Sequence, residues 1–320
     1  MDITFFILFY CANCSIVVQF YKMTNIDNLE MEELFVTNKP KSILFMMISV
    51  VLFSIMQLFI RLTSPNVSVF QQIFIRNFVS IVFCVYFIHK DHASYFGGKK
   101  SQPYLLLRSF GGFMGLLLAF YATRHALLAD VAIVTRTGPF FTTIISVLFL
   151  KEKLNRMQIP VLFIIFAGGW LAANPTFNSS FLPLGCALLS AIFNGICYPL
   201  LRYFHDREHA MTVIMHFSTF CVVASIPFMM IDFHLPQGID ILYLILIALT
   251  GAIGQIFLTY AYRLSPASEI AIYNQFTVVF SIVLGFLFLN QIPTMRSILG
   301  GLLITGASIM AYLYNNKKAK

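Results

Sequence analysis

The chain alternates between long apolar stretches and short polar connections. Ten runs of roughly 20 apolar residues can be marked off, each long enough to cross about 30 Å of hydrocarbon as a helix. Only helices are plausible, because spans this apolar must satisfy their backbone polar groups internally, and barrel strands would be shorter and alternate in polarity. The pattern predicts helices at residues 42–62, 68–89, 103–124, 128–150, 156–173, 181–203, 210–232, 239–263, 267–289 and 295–314.

Composition supports a membrane protein. Of the 320 residues, 59% are apolar and 11% are charged, whereas an ordinary globular chain carries about 25% charged residues. A secreted enzyme, a nucleic-acid-binding domain and a disordered regulator are excluded by these values. The expected class is therefore an all-α integral membrane protein that crosses the bilayer many times.

The distribution of cations predicts the orientation. If the N-terminal tail is taken as cytoplasmic, the connections on that side hold 15 of the 21 Lys and Arg residues. Cytoplasmic loops are enriched in these residues, so both ends of the ten-helix core are expected in the cytoplasm, in the inner membrane if the source is bacterial. The net charge of +8 is then mostly a topology signal, and no connection is long enough to build a nucleic-acid surface.

The first forty residues fit this scheme less well. Ile3 to Tyr21 is a further apolar run, followed by a polar linker. It is either an eleventh span or sequence upstream of a true start at Met23 or Met31. The predicted division is an N-terminal segment at 1–41, a first repeat at 42–174, a second repeat at 181–314 and a basic C-terminal tail at 315–320.

The chain contains an internal repeat. A displacement of 139 residues lays 108–150 over 247–289 without a gap, and 11 of the 43 pairs are identical, including Gly112/Gly251, Gly115/Gly254 and Tyr121/Tyr260. Each repeat has five predicted helices, an odd number, so the second copy enters the membrane inverted. The predicted fold is ten transmembrane helices arranged as two inverted five-helix repeats. Inverted repeats characterise secondary transporters, whose substrate site lies near the midplane.

Several motifs give a family resemblance. They are Tyr121-Ala122, Ala129-Asp130-Val131-Ala132, Pro139-Phe140-Phe141, the segment Phe149 to Leu154, and Ala167-Gly168-Gly169. Together they resemble the EamA repeat of the drug/metabolite transporter superfamily. The second copy repeats Tyr260-Ala261 and continues as Ser265-Pro266-Ala267-Ser268-Glu269, but Val278 replaces the proline and Gln291 the glutamate. The resemblance implies a carrier; this superfamily transports amino acids, nucleotide-derived metabolites, sugars and amines.

Three arginines lie inside predicted spans. Arg76 and Arg136 are each about eight residues from the outer end of their helices, or about 12 Å deep at 1.5 Å per residue. An Arg at such depth is costly, so both are expected to face protein or water. Arg108 is about five residues from the cytoplasmic end and is expected to snorkel to the surface.

Polar side chains around Arg136 form a stripe on one helical face. Thr135, Pro139, Thr142 and Ser146 recur at helical spacing, and the mirrored ninth helix offers Asn274, Thr277 and Ser281, with Gln275 matching Arg136. This pattern predicts a cavity with a cation on one side and amides on the other, walled by Tyr121 and Tyr260. A guanidinium binds carboxylate or phosphate in a bidentate manner, so an anion-bearing substrate is expected.

Each of these residues also has a structural interpretation. Arg76 can bond backbone carbonyls at a helix break, and the hydroxyls of Thr135 and Thr277 can bond their own backbone or a neighbouring helix. Asp130 and Glu269 are chemically suited to carry protons. Both lie close to helix ends, however, and Glu269 is equally suited to a first-turn acid favoured by the helix dipole.

The sequence therefore predicts a secondary transporter for a small polar, carboxylate-bearing, amino-acid-like metabolite. One alternative is an uptake carrier for a nucleotide-like metabolite such as S-adenosylmethionine; another is a non-transporting membrane scaffold or receptor. No enzyme activity, cofactor or metal site is expected, since hydrolase, metal and phosphate-cradling motifs do not occur. The expected partners are the small-molecule substrate and the lipid bilayer, without nucleic acid, and a homodimer is left open.

Overall fold

The structure is a computed structural model that describes residues 39–64, 66–125, 134–135, 137–152, 156–173, 181–231, 233–289 and 295–318. All regular secondary structure in these ranges is helical, which confirms the predicted class. The helices are α1 (Lys39–Leu62), α2 (Val69–Lys90), α3 (Gln102–His125), α4 (Gly138–Leu150), α5 (Gln158–Ala173), α6 (Phe181–Tyr203), α7 (Ala210–Ile231), α8 (Ile239–Leu264), α9 (Ala267–Ile270), α10 (Phe276–Leu289) and α11 (Met295–Lys318). Residues 1–38 of the predicted N-terminal segment 1–41 lie outside the described residues, and its last three residues begin α1.

Five of the described helices are long and apolar enough to cross a membrane. They correspond to α1, α2, α6, α7 and α8. Large apolar side chains are exposed on the outside of the bundle, among them Leu148, Phe181 and Met230. A soluble monomer rarely exposes apolar surface on this scale, whereas lipid solvates it.

Local chemistry accounts for where helices begin and end. The Ser68 hydroxyl accepts a hydrogen bond from the Phe70 N–H, while the Gln71 side chain accepts one from the Ser68 N–H, so a capping box starts α2 at Val69. Lys151 ends α4 in the left-handed conformation, with φ 52°. That turn places Glu152 directly beyond the helix end.

One predicted continuous helix was wrong in detail. The prediction 267–289 is split into α9, a 3-10 turn at Tyr273–Gln275 and α10. Polar side chains such as Asn274 compete with the helical ladder, which accounts for a break at this point. For the prediction 128–150, the described residues are helical at 134–135 and over α4, where Pro139 lies in the first turn and its missing N–H is tolerated. Its residues 128–133 lie outside the described residues.

The helix contacts occur in equivalent pairs: a contact between two helices recurs between their counterparts in the other repeat. Helix α1 packs along α8, and its counterpart α6 packs along α3. In the same way α2 pairs with α7, α5 pairs with α11, and the contact of α4 with α6 matches that of α10 with α1. Each repeat is therefore completed by helices of the other, and the interior of the bundle is built from both.

The repeated glycines allow these close contacts. Ser49 of α1 donates a hydrogen bond to the Gly254 carbonyl at 2.9 Å, and Ser190 of α6 donates to the equivalent Gly115 carbonyl at 2.6 Å. A Cβ at Gly115 would lie 3.1 Å from the Asn194 side chain, and one at Gly254 would lie 3.1 Å from Phe53. Small residues let helix backbones approach in this way.

Candidate functional site

Arg76 lies inside the bundle, on α2, and is 7% exposed. Its Nη2 donates to the Gln255 side-chain oxygen of α8 at 3.3 Å, and its Cζ lies 5.5 Å from the centre of the Phe53 ring of α1. An amide dipole and an aromatic face stabilise a guanidinium but do not neutralise it. Arg76 therefore brings an unneutralised positive charge among helices of both repeats.

Gly251 makes the space that Arg76 occupies. A Cβ at this position would lie 2.8 Å from the Arg76 Nε and 2.9 Å from its Cγ. Gln255 follows one helical turn later on the same face of α8, so the glycine and the amide act together. Gln255 was not predicted from the sequence. The signal that could have indicated it is a glycine one helical turn before an amide side chain on an otherwise apolar helix.

The prediction that Arg108 snorkels to the membrane surface was wrong. Arg108 is 4% exposed, and its Cζ lies 4.5 Å from the centre of the Phe217 ring of α7. Gly112, the repeat equivalent of Gly251, leaves room for this guanidinium as well. The Phe217 ring and the space at Gly112 together allow Arg108 to be buried inside the bundle. Its distance from the helix end could not predict this burial.

The two buried arginines share neighbours. Tyr198 of α6 and Cys221 of α7 each lie within electrostatic range of both guanidiniums, which are also within range of one another. Tyr198 is half-buried and stacks on Tyr262 with ring centres 4.7 Å apart. We call Arg76, Arg108, Tyr198 and Gln255 the arginine cluster. Four helices from both repeats contribute to it.

The arginine cluster is rich in hydrogen-bond donors that lack partners. Among the described residues, no carboxylate lies within 4 Å of either guanidinium. The buried Arg108 Nε, Gln255 Nε2 and Tyr262 hydroxyl have no hydrogen-bond partner there. Buried polar groups are normally satisfied. An anionic ligand with additional acceptors would satisfy these donors and neutralise the charge.

The other predicted cavity residues are distributed around the starts of α4 and α10. Gln275 and Thr277 are buried and Asn274 is half-buried at the start of α10, where the Thr277 hydroxyl donates to the Asn274 carbonyl at 2.8 Å. Thr135, which precedes α4, is half-buried and helical. Arg136, the other predicted cation, and Asp130 lie outside the described residues.

The predicted tyrosine walls lie away from the arginine cluster. The Tyr260 ring contacts Phe45 edge-on with centres 6.1 Å apart, and it packs on a core group that includes Cys84 and Met211. Cys84 is two helical turns beyond Arg76 on α2. Tyr121 is half-buried near the end of α3, and its ring centre lies 4.5 Å from that of His125.

Glu152 binds the start of α9. Its carboxylate accepts hydrogen bonds from the Ala267 N–H at 2.9 Å, the Ser268 N–H at 3.3 Å and the Ser268 hydroxyl at 2.8 Å. Burial raises the pKa of Glu152, while the bonds from Ser268 and Ala267 act in the opposite direction. A residue just beyond the end of α4, in the first repeat, thus holds the first residues of α9, in the second.

A second inter-repeat contact lies beside it. The Lys39 Nζ is 3.1 Å from a carboxylate oxygen of Glu269, and the pair is partly exposed. Nearby, the Arg202 guanidinium donates to the Arg263 carbonyl, and Arg263 in turn donates to the His205 carbonyl. Burial lowers the pKa of His205. We call this side of the bundle, marked by Glu152 and the Lys39–Glu269 pair, the Glu152 end.

Comparison with known proteins identifies the class. The chain matches the EamA-like transporter family twice, over residues 40–173 and 182–313. It therefore belongs to this family, as the resemblance predicted, and consists of two copies of its repeat. It is a multi-pass integral membrane protein of a transporter family, not an enzyme.

Individual relatives agree with this assignment. The pseudopaline exporter of Pseudomonas aeruginosa is 29% identical over 80% of this chain and 90% of its own length. Human solute carrier family 35 member G1 is 26% identical over 83% and 77%. The S-adenosylmethionine uptake transporter of Rickettsia felis is 24% identical over 69% and 75%. A protein of known crystal structure aligns with 88% of this chain and all of its own, at a TM-score of 0.76 and 15% identity, which establishes the fold alone.

Proposed function

We propose that this protein is a secondary transporter that carries a small, carboxylate-bearing, amino-acid-like metabolite across the membrane. The single observation that carries the proposal is the arginine cluster. Two buried guanidiniums without a described carboxylate are costly inside a membrane. A substrate anion that binds them during each transport cycle would offset this cost and give the two arginines a function.

The mechanism proposed is alternating access. Ten spans in two inverted repeats would place the arginine cluster near the midplane, between halves that can rock against each other. The equivalent pairs of helix contacts support this arrangement. Both ends of the ten-helix core are proposed to face the cytoplasm, because most cations lie in connections of that side.

The Glu152 end is then the cytoplasmic gate. Glu152–Ser268 joins the first repeat to the second, and Lys39–Glu269 joins the first residue of α1 to the second repeat. A path between the repeats on this side requires these contacts to separate. The described conformation, in which both contacts are made, is accordingly proposed to be closed toward the cytoplasm.

The predicted cavity residues have defined places in this proposal. Arg76 holds the substrate carboxylate, and Arg136 is proposed to contribute from the stripe on the fourth predicted helix. Thr135, Asn274, Gln275 and Thr277 would line the path near the starts of α4 and α10, with Tyr121 and Tyr260 nearer its ends. Glu269 is proposed to act in the gate rather than as a proton carrier.

An S-adenosylmethionine carrier is the second candidate, and it is favoured by the Rickettsia relative. The structure provides an argument against it. The sulfonium of that compound carries a positive charge, and two guanidiniums within electrostatic range of each other would repel it. An amino-acid-like carboxylate lacks this additional positive charge and is therefore a better match for the cluster.

The test is flux of labelled amino acids, carboxylates and adenosyl compounds in proteoliposomes that contain wild type, Arg76→Gln, Arg136→Ala or Arg207→Gln. Arg207 is exposed on the connection between α6 and α7 and serves as the matched control. Carboxylate flux that is lost in Arg76→Gln and kept in Arg207→Gln supports the proposal. Absence of flux for every compound in folded wild type would favour the scaffold alternative.

A further inference from the structure

The arginine cluster contains one cation more than a single carboxylate can neutralise. Arg76 is held by Gln255 of α8 and Arg108 by the Phe217 ring of α7. A substrate with one carboxylate that binds Arg76 leaves the Arg108 charge buried among the Phe217 ring, Cys221 and Tyr198. Buried charges are normally paired, so the second guanidinium needs its own anion.

The two guanidiniums are supported by different helices, Arg76 by Gln255 of α8 and Arg108 by the Phe217 ring of α7. The described contacts give them no shared hydrogen-bond acceptor, and Tyr198 and Cys221 lie within range of both. Two anionic groups on one short substrate would give each guanidinium its own partner.

We propose that the transported substrate is a dicarboxylate, with one carboxylate bound by Arg76 and the other by Arg108. The inference rests on the proposed function and narrows its substrate class. The Arg108 Nε, which has no partner among the described residues, is a donor for the second carboxylate. The Gln255 Nε2, which has no partner among the described residues, is available to the polar body between the two ends.

The test uses compounds that differ only in their second charge. Aspartate is compared with asparagine, glutamate with glutamine, and succinate with succinamate, with inorganic phosphate as a separate arm. Binding is measured as thermal stabilisation of the purified full chain in detergent, and transport as counterflow in proteoliposomes. Binding does not require transport, so failure of the substrate assignment is distinguishable from failure of the transporter assignment.

Wild type is expected to bind each dicarboxylate at least about 30-fold more tightly than its monoamide, the usual effect of leaving one member of a buried charge pair without its partner. Arg108→Gln should lose this preference and bind both members of a pair with similar affinity. Arg207→Gln should keep the wild-type preference. If Arg108→Gln does not fold, Arg108→Lys provides the same comparison, with a smaller loss of dicarboxylate binding because lysine keeps the charge but not the planar fork.

Three results would overturn the inference. They are equal binding of dicarboxylates and monoamides by wild type, tighter binding of phosphate than of any dicarboxylate, and an unchanged preference in folded Arg108→Gln. Dicarboxylate binding without counterflow would support the substrate assignment and contradict the transporter assignment. Counterflow of monoamides at the dicarboxylate rate would do the reverse.

Discussion

The Arg76 guanidinium donates to the Gln255 side chain at 3.3 Å across the boundary between the two repeats. Arg76 belongs to the second helix of the first repeat and Gln255 to the third helix of the second. The bond therefore depends on how the repeats pack. Any rearrangement of one repeat against the other changes the position of the cation that the proposed mechanism uses to bind substrate.

Filling the space at Gly251 should impair transport. Gly251→Ala places a methyl group where a Cβ would lie 2.8 Å from the Arg76 Nε, so the guanidinium must move. A displacement of about 1 Å in a binding group can cost about a hundredfold in rate, and we expect a loss of tenfold or more in initial flux. The measurement is substrate counterflow in proteoliposomes at matched protein density.

Gly306→Ala is the matched control for Gly251→Ala. Gly306 is also helical, and a Cβ there meets no atom within 4 Å. Gly306→Ala should keep wild-type flux. Its free energy of unfolding should rise by up to about 1 kcal/mol, because alanine has a higher helix propensity than glycine. Equal flux in the two variants would show that Arg76 is not held in place by the gap at Gly251.

The paired serine bonds predict equal effects in the two repeats. Ser49→Ala and Ser190→Ala each remove a hydrogen bond to the carbonyl of a repeat-equivalent glycine. Inter-helix hydrogen bonds in membranes average about 0.6 kcal/mol, so each variant should lower the free energy of unfolding by about that amount. The double variant should be additive, since distant sites are independent. Unfolding in mixed detergent micelles provides the measurement.

Ser54→Ala is the control for this pair, because its hydroxyl bonds the Val50 carbonyl of the same helix. That bond lies within one helix, so its loss should change the free energy of unfolding only slightly. A markedly larger effect at one of Ser49 and Ser190 than at the other would contradict the equivalence of the two helix contacts.

The hydropathy pattern was sufficient to predict most helix bounds, because bilayer thickness dictates the length of an apolar segment. It did not predict the break at Tyr273–Gln275, where the local polar residues, not the mean hydropathy, decide the backbone path. Arg76 was expected to face protein and does so. Arg108 was misplaced because its burial depends on Phe217 and Gly112, which come together only when α3 packs on α7. Tertiary partners of this kind leave no periodic signal in the sequence.

The charge of Glu152 should make stability depend on pH. Burial raises its pKa above the ordinary value of 4.5, so the folded state binds the proton more tightly than the unfolded state. The resulting stabilisation is complete below pH 4.5 and is lost as the pH rises through the folded-state pKa. Relative to Glu152→Gln, the wild type should therefore lose thermal stability as the pH rises from 4 towards neutrality.

The observable is the difference in melting temperature between wild type and Glu152→Gln across this pH range. The comparison isolates Glu152, because every other titratable group is common to the two proteins. If this difference in melting temperature is the same at every pH, Glu152 does not titrate differently in the folded and unfolded states.

The Lys39–Glu269 pair should contribute modestly to stability. Its side chains are 28% and 15% exposed, and exposed pairs typically contribute about 0.2–1 kcal/mol. A double-mutant cycle with Lys39→Ala and Glu269→Ala should give a coupling in that range, which falls as salt is raised. Flux in Glu269→Gln should keep its response to a proton gradient. Loss of that response alone would assign Glu269 to proton coupling instead.

The most direct test of the account locks the Glu152 end. Cysteines are placed at Lys39 and Glu269, in a background whose native cysteines are replaced, and are joined by a short bifunctional thiol reagent. Alternating access predicts that the cross-linked protein still binds substrate but loses counterflow, and that cleavage of the linker restores it. Counterflow that continues at the uncross-linked rate after complete cross-linking would contradict the proposal that these contacts separate during transport.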